Sequence, residues 1–187
     1  MKIAIVGATG CGKSTFARAL ARGTGAVHAE LDGLAWQDNW TETPDDELRA
    51  RLERVLTNES WIIDGGFVRA WTREMVFGAA DAIVWLDMPR RVVWSRLFVR
   101  TIRRAWTKER LWGTNNHESF RLSFLSRDSV LLWSIRTFGS RRRMYEELMG
   151  RGDGVAQKFK RAGSPSEADL LLAALLAEID PAHQHRD

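Results

Sequence analysis

The sequence predicts a doubly wound α/β fold, a five-stranded parallel sheet with helices on both faces, on the strength of three observations. Continuous apolar runs of strand length, each closed by turn residues, alternate with longer stretches of helical periodicity. The first run leads directly into a glycine-rich loop and then a helix. No repeat, low-complexity tract or linker interrupts the alternation, so the 187 residues are expected to form a single domain, 1–187. A content of 44% hydrophobic and 28% charged residues supports a folded core and excludes global disorder, a collagen-like chain and a bare coiled coil.

Each element has a local reason. Met1 to Val6 is the first apolar run, Gly7 ends it, and Ser14 to Arg22 has a helical composition that Gly23 can terminate. Ala26 to Leu31 is the second run, closed by Asp32-Gly33. Thr43-Pro44-Asp45-Asp46 sets a capping threonine before a proline at the first helical position, with acids in the first turn. Leu48, Leu52, Val55 and Leu56 follow at helical spacing, predicting a helix over about 44–58. Trp61-Ile62-Ile63 and Ala82 to Leu86 are apolar throughout, as strands covered on both faces must be.

Pro89 opens a long helix with Val93, Leu97, Ile102 and Ala105 on one side and Arg90, Arg91, Arg96, Arg100, Arg103 and Arg104 largely on the other; Asp87 reads as its cap. Residues 106–150 read as helical pieces, broken at Gly113 to Asn116, near Ser126 to Ser129 and at Gly139. Val155 to Phe159 supplies the fifth strand, Ser164-Pro165-Ser166-Glu167 is a capping box, Leu170 to Ile179 is the closing helix, and Pro181 to Asp187 is a frayed end.

Composition also narrows function. A single cysteine, Cys11, excludes an intrachain disulfide and a Cys-cluster zinc site. No run reaches the roughly eighteen uninterrupted apolar residues of a membrane span, and the N-terminus is a strand and not a signal peptide, so a cytoplasmic protein without a membrane partner is expected. The surplus of 28 Lys+Arg over 24 Asp+Glu, with nine Trp, leaves nucleic acid, anionic lipid or a small polyanion as partners.

Gly7-Ala8-Thr9-Gly10-Cys11-Gly12-Lys13-Ser14, followed by Thr15, decides among these. Glycines let the backbone N–H groups turn toward phosphate oxygens, Lys13 can neutralise the β- and γ-phosphates, and Ser14 offers a hydroxyl to Mg²⁺. Gly7, Gly10, Cys11, Gly12, Lys13, Ser14 and Thr15 are therefore the expected site for ATP with Mg²⁺. The chain is short for a motor ATPase and lacks an Asn-Lys-x-Asp guanine-reading string, which leaves the metabolite kinases.

That loop, together with Leu31 to Trp36, Trp61 to Gly65, Leu86-Asp87-Met88-Pro89, and Arg96 and Arg100, resembles the adenylate-kinase-related P-loop kinases. More narrowly, residues 1 to about 145, including Glu109 to Trp112 and Phe124 to Ser129, resemble the bacterial topology modulation, or FlaR-like, group. The resemblance implies a P-loop NTPase fold with a helical, arginine-rich lid inserted at about 100–145, and phosphotransfer to a small acceptor, a nucleotide or nucleoside. It places Arg96 and Arg100 at the start of the lid, where they would stabilise the transferred charge, and Lys158 to Pro165 beside adenine. It makes Asp64 a ligand to a Mg²⁺-bound water; because Gly66-Phe67-Val68-Arg69 lacks the family proline, Arg69 departs from the phosphate-clamp position. Asp32 lies where the acceptor would approach, as a proton acceptor for an alcohol or as a turn residue.

Trp36 and Trp40 would wall the acceptor, whereas Trp61, Trp85, Trp94 and Trp133 read as core. Arg141, Arg142 and Arg143 read as a solvated face, and His117 and Glu118 as lid tip or loop. Two alternatives stay open: a kinase of a sugar or cyclic polyol hydroxyl, and an ATP-binding regulator that presents residues 90–143 to nucleic acid.

Overall fold

Five strands pair in parallel in the computed structural model, which describes residues 1–117 and 129–178. They are β1 (Lys2–Gly7), β2 (Val27–Glu30), β5 (Trp61–Asp64), β6 (Ala82–Leu86) and β7 (Phe159–Ala162), in the spatial order β2-β5-β1-β6-β7. A two-stranded hairpin, β3 (Trp36–Gln37) and β4 (Thr41–Glu42), stands apart. The helices are α1 (Lys13–Thr24), α2 (Leu31–Ala35), α3 (Asp45–Leu56), α4 (Ala70–Ala79), α5 (Arg90–Thr107), α6 (Val130–Gly150) and α7 (Pro165–Ala177). The fold is the expected doubly wound α/β sheet, with one apolar cluster on each face.

Central β1 brings Ile3 and Ile5 to one cluster and Ala4 and Val6 to the other, so a strand of unbroken apolar residues serves two cores. Its register against β5 pairs Ile5 with Asp64, and against β6 pairs Gly7 with Leu86. These pairings bring the glycine loop and Asp64 to the carboxyl edge of the sheet, where ligands bind in open α/β folds.

Several boundaries differ from the sequence expectation. Gly23 stays inside α1, and Gly25 ends the helix with φ of 68°. Asp32 sits on the short helix α2, not in a turn. The fifth strand begins at Phe159, after a single 3₁₀ turn over Ala156–Lys158. An edge strand needs no unbroken apolar run, and Lys160 and Arg161 lie on it. Gly139 does not break α6, which continues through it. Val93, Leu97 and Ala105 are buried as predicted but Ile102 is exposed, and Trp133 is exposed instead of core. The helix α4 and the hairpin were not anticipated.

The predicted capping box is present. Glu167 N–H donates to Ser164 Oγ at 3.2 Å, and Gly163 N–H donates to Glu167 Oε2 at 2.8 Å, which holds the Glu167 carboxyl below its ordinary pKa. Ser164→Ala is expected to lower stability by about 1 kcal/mol in urea titration. Residues 118–128 and 179–187, which include Glu118, most of the resembling segment from Phe124, the predicted break at Ser126, the predicted helix end at Ile179 and the frayed terminus, lie outside the described residues.

Candidate active site

The loop between β1 and α1 is pressed so closely on its neighbours that its shape requires glycine. Gly7 has φ of 143°, and a Cβ there would stand 2.6 Å from the Leu86 carbonyl oxygen. Gly10 has φ of 93°, and its Cβ would stand 2.8 Å from the Val93 carbonyl oxygen. Gly12 begins α1 in a left-handed conformation, and no side chain caps the helix, so its first-turn N–H groups are available to an anion. Lys13 Nζ donates to the Gly7 and Ala8 carbonyl oxygens at 3.1 Å each, which holds the ammonium over the loop. Cys11 is buried under it, where burial raises the thiol pKa; its N–H donates to Ala8 O and its carbonyl accepts from Arg96.

An open cleft of about 770 Å³ runs from this loop along α5 to α7, lined by Gly12, Lys13, Thr15, Arg96, Arg100 and Pro165 among others. Arg96 Nη1 reaches the Cys11 carbonyl at 3.3 Å. Arg103 and Arg104 line the same cleft, so four arginines of α5 face the loop that sequence reading assigned to phosphate.

Asp64 ends β5 with only 3% of its surface exposed. Ser14 Oγ donates to its Oδ2 at 2.7 Å, and His28 Nε2 lies 2.7 Å from its Oδ1. The expected pair Ser14 and Asp64 thus meet across 50 residues of sequence. His28 was not anticipated; its signal was its place on β2, the strand paired with β5, two residues before Glu30, which pairs with Asp64. The ligand atoms of His28, Glu30 and Asp64 lie within 4.8 Å of one another. Glu30 also accepts from Arg18 at 3.2 Å and from Trp112 Nε1 at 3.0 Å. A hydroxyl and carboxylates suit a hard divalent cation such as Mg²⁺, and His28 has its nitrogen on the Asp64 carboxylate.

Asp32 is exposed on α2, with protein packed around its carboxyl. That enclosure raises its carboxyl pKa; Lys13, Arg141 and Arg100 act against the rise, and Asp64 adds to it. Asp32 therefore shares one electrostatic environment with the loop lysine, the Asp64 carboxylate and a lid-side arginine. Next to it, Trp112 packs on Gly33, whose Cβ would stand 3.0 Å from the indole. Trp36, Trp40 and Trp112 meet edge to face, with centroids 5.8 and 6.1 Å apart. Asn116 ties the loop that carries Trp112 to the hairpin, accepting from Trp40 N–H at 2.7 Å and donating to the Gln37 carbonyl at 2.8 Å.

Among the charged residues read from the sequence, Arg69 follows expectation and two others depart from it. Arg69 is engaged by Glu42 and Asp45, at 2.8 and 3.1 Å, consistent with its departure from the clamp position. Asp87 does not cap α5: it is 9% exposed and holds Arg161 and Arg142, with Arg161 also stacked over Trp85. Arg141 is 9% exposed instead of solvated.

The arrangement can be set beside known proteins. No protein-family model matches the chain. Over 118 residues it is 34% identical to YqaC, an uncharacterized protein of Bacillus subtilis (strain 168), over 62% of this chain and 65% of that protein. The chain thus matches just under two thirds of its relative's length. A gluconokinase structure from Sinorhizobium meliloti 1021 is similar at a TM-score of 0.54 and 18% identity, over 100% of this chain and 97% of that one. A shikimate kinase from Acinetobacter baumannii, in complex with shikimate, is similar at 0.54 and 18%, over 96% and 93% of the two chains. The chain shares its overall fold with these two kinase structures. At such identities the likeness establishes architecture, and the chemistry has to come from this chain's own residues.

Proposed function

We propose that the protein is an ATP- and Mg²⁺-dependent phosphotransferase acting on a hydroxyl of a small acceptor. The observation that carries this reading is the convergence of Lys13, the Ser14–Asp64 pair and Asp32 on one end of the sheet. Phosphoryl transfer needs positioning and charge stabilisation more than covalent chemistry, and a loop that grips triphosphate beside a carboxylate supplies both. Ser14 and Asp64 would hold Mg²⁺, with Glu30 and His28 close by, and the cation would supply positive charge against the triphosphate.

In the proposed step the acceptor hydroxyl oxygen bonds to the γ-phosphorus, and its proton passes to the Asp32 carboxylate. The bond from that phosphorus to the β,γ-bridging oxygen breaks, and ADP leaves. A raised pKa makes Asp32 a better proton acceptor than an ordinary surface carboxylate. Lys13, Arg96 and Arg100 meet the charge on the transferred group. The cleft continues to Pro165 and Leu172, which supports a seat for the adenine of ATP against α7. Within the span 100–145 expected for the lid, Phe138 and Tyr145 anchor α6 in the core, which supports the end of α5 as the lid's described part.

The resemblance to the FlaR-like group supports a nucleotide or nucleoside as acceptor, and the kinases of similar fold, whose names include a gluconokinase and a shikimate kinase, support a sugar or cyclic polyol. Four of the arginines within the 90–143 stretch of the nucleic-acid reading line the cleft, which supports the kinase reading over it. A screen of nucleosides, nucleotides, polyols and sugar acids with ATP and Mg²⁺, reading ADP and product mass, tests the proposal; ADP formation indifferent to every acceptor counts against it. Asp64→Asn is expected to raise the Mg²⁺ concentration for half-maximal turnover at least about tenfold, measured by Mg²⁺ titration at fixed ATP.

A further inference from the structure

A second cavity, of about 530 Å³, opens at the carboxyl ends of β6 and β7. Among the described residues Met88 alone lines both it and the cleft of the glycine loop; Gly163, just after β7, lines the one and Pro165 the other. Four wall residues of the second cavity are arginines: Arg90 and Arg91 from the first turn of α5, Arg142 from α6 and Arg161 from β7. Three separate elements thus deliver positive charge to one concave place.

Like charges crowd together only where something holds them. Asp87, 9% exposed, holds two of the four: its Oδ2 accepts from Arg161 Nε at 3.1 Å and lies 3.1 Å from Arg142 Nη2. Arg161 also stacks on the buried Trp85, its guanidinium carbon 4.9 Å from the ring centroid, and Arg90 stacks on the buried Phe138 at 5.3 Å. Stacking occupies the face of a guanidinium and leaves its N–H edge to a hydrogen-bond acceptor. Arg90 and Arg91 form no hydrogen bond or ion pair among the described residues, and Arg142 reaches Glu146 with its Nε at 3.3 Å.

Among the described residues, the carboxylates in contact with the four guanidiniums are Asp87 and Glu146, so two positive charges stand uncompensated around the cavity. The first turn of α5 contributes no acid and has no capping side chain. From this convergence we infer that the cavity is a second anion site, separate from the glycine loop and from Asp32, and that it takes a small molecule bearing a phosphate dianion. The two charges match the excess, and the phosphate oxygens can accept from several guanidinium edges at once. A monoanionic carboxylate would only repeat what Asp87 already supplies. The volume is that of a pocket for a whole small ligand, with Phe138 and Met88 as its apolar wall.

The test is isothermal titration calorimetry on the full-length protein in saturating non-hydrolysable ATP analogue and Mg²⁺, so that the glycine loop is filled. The probes are inorganic phosphate, a sugar monophosphate and a nucleoside monophosphate, with acetate and the unphosphorylated sugar and nucleoside as controls. At least one phosphate probe is expected to bind saturably, at least about tenfold tighter than acetate or its own unphosphorylated control. Inorganic phosphate as the tightest probe identifies free phosphate as the ligand, and a tighter ester identifies a phosphorylated metabolite.

The double variant Arg90→Ala/Arg91→Ala removes two guanidiniums that form no ion pair in the fold, and Arg142→Ala removes one held by Asp87. Each is expected to weaken the phosphate binding at least about tenfold and to leave affinity for the ATP analogue unchanged. Should Arg142→Ala fail to fold, the double variant carries the test. Phosphate binding that survives the double variant, no saturable binding of any phosphate probe, or acetate bound as tightly overturns the inference. An RNA oligonucleotide bound through these arginines, with no small phosphate bound, overturns it as well. No readout here depends on turnover, so this inference and the kinase reading stand or fall separately.

Discussion

Lys13→Ala is expected to lower ATP-dependent turnover on the order of 100- to 1,000-fold, the usual effect of removing one preorganised donor to a developing oxyanion. The reason is local. The ammonium is held by the Gly7 and Ala8 carbonyls over the first turn of α1, where the glycine backbone and the helix N-terminus already favour phosphate. Removing the lysine leaves the N–H groups in place, so the variant still binds nucleotide weakly while losing the charge that follows the γ-phosphoryl group. Steady-state kinetics with a titration of ATP separates the two: kcat falls more steeply than ATP affinity. Unchanged turnover at saturating ATP removes Lys13 from the mechanism.

The second large effect belongs to Asp32. Asp32→Asn keeps the size and much of the hydrogen bonding of the side chain but cannot take the acceptor proton. Turnover is expected to fall about 100- to 10,000-fold, the range of general base catalysis, with ATP affinity nearly unchanged. This split distinguishes a base from a residue that shapes the short helix α2, for which turnover and stability would change together. An acceptor that attacks through a phosphate oxygen, already ionised, has no proton to give up, and with such an acceptor the same substitution would leave kcat almost intact. The comparison therefore reports the acceptor's nucleophile as well as the residue's role.

Much of this site was legible in the sequence because its parts sit next to strong local signals. The glycine loop follows an apolar strand and opens a helix, and Asp64 follows a second apolar strand, so parallel pairing alone brings Ser14 and Asp64 to one edge. Asp32 was placed correctly at the end of β2, although its local structure is a helix and not a turn. Arg96 and Arg100 were found on the helix face that lines the cleft.

What was missed depended on contacts between distant segments. Arg141 stands in a run of three arginines, and the run suggests a solvated face; the spacing from Phe138 and to Tyr145 was the opposing signal, pointing into the core. His28 has no local pattern, and only the β2–β5 pairing reveals its contact with Asp64. The tryptophan wall needed Trp112, brought to Gly33 and Trp40 by hydrogen bonds across 76 to 79 residues. Asp87 shows the reverse case: its place before Pro89 suggested a cap, but two arginines from α6 and β7 outcompete that local role. Two charge-assisted contacts to a nearly buried carboxylate outweigh one exposed cap.

The central claim is that phosphoryl transfer ends on a small acceptor held between Asp32 and the loop. It is tested most directly with ATP labelled at the γ-phosphoryl group, purified protein, Mg²⁺ and the panel of nucleosides, nucleotides, polyols and sugar acids. The account predicts that label appears on a hydroxyl of one acceptor, in equal amount to the ADP formed, and that Asp32→Asn suppresses the transfer while nucleotide still binds. Label released only as inorganic phosphate, at a rate no acceptor changes, would contradict it.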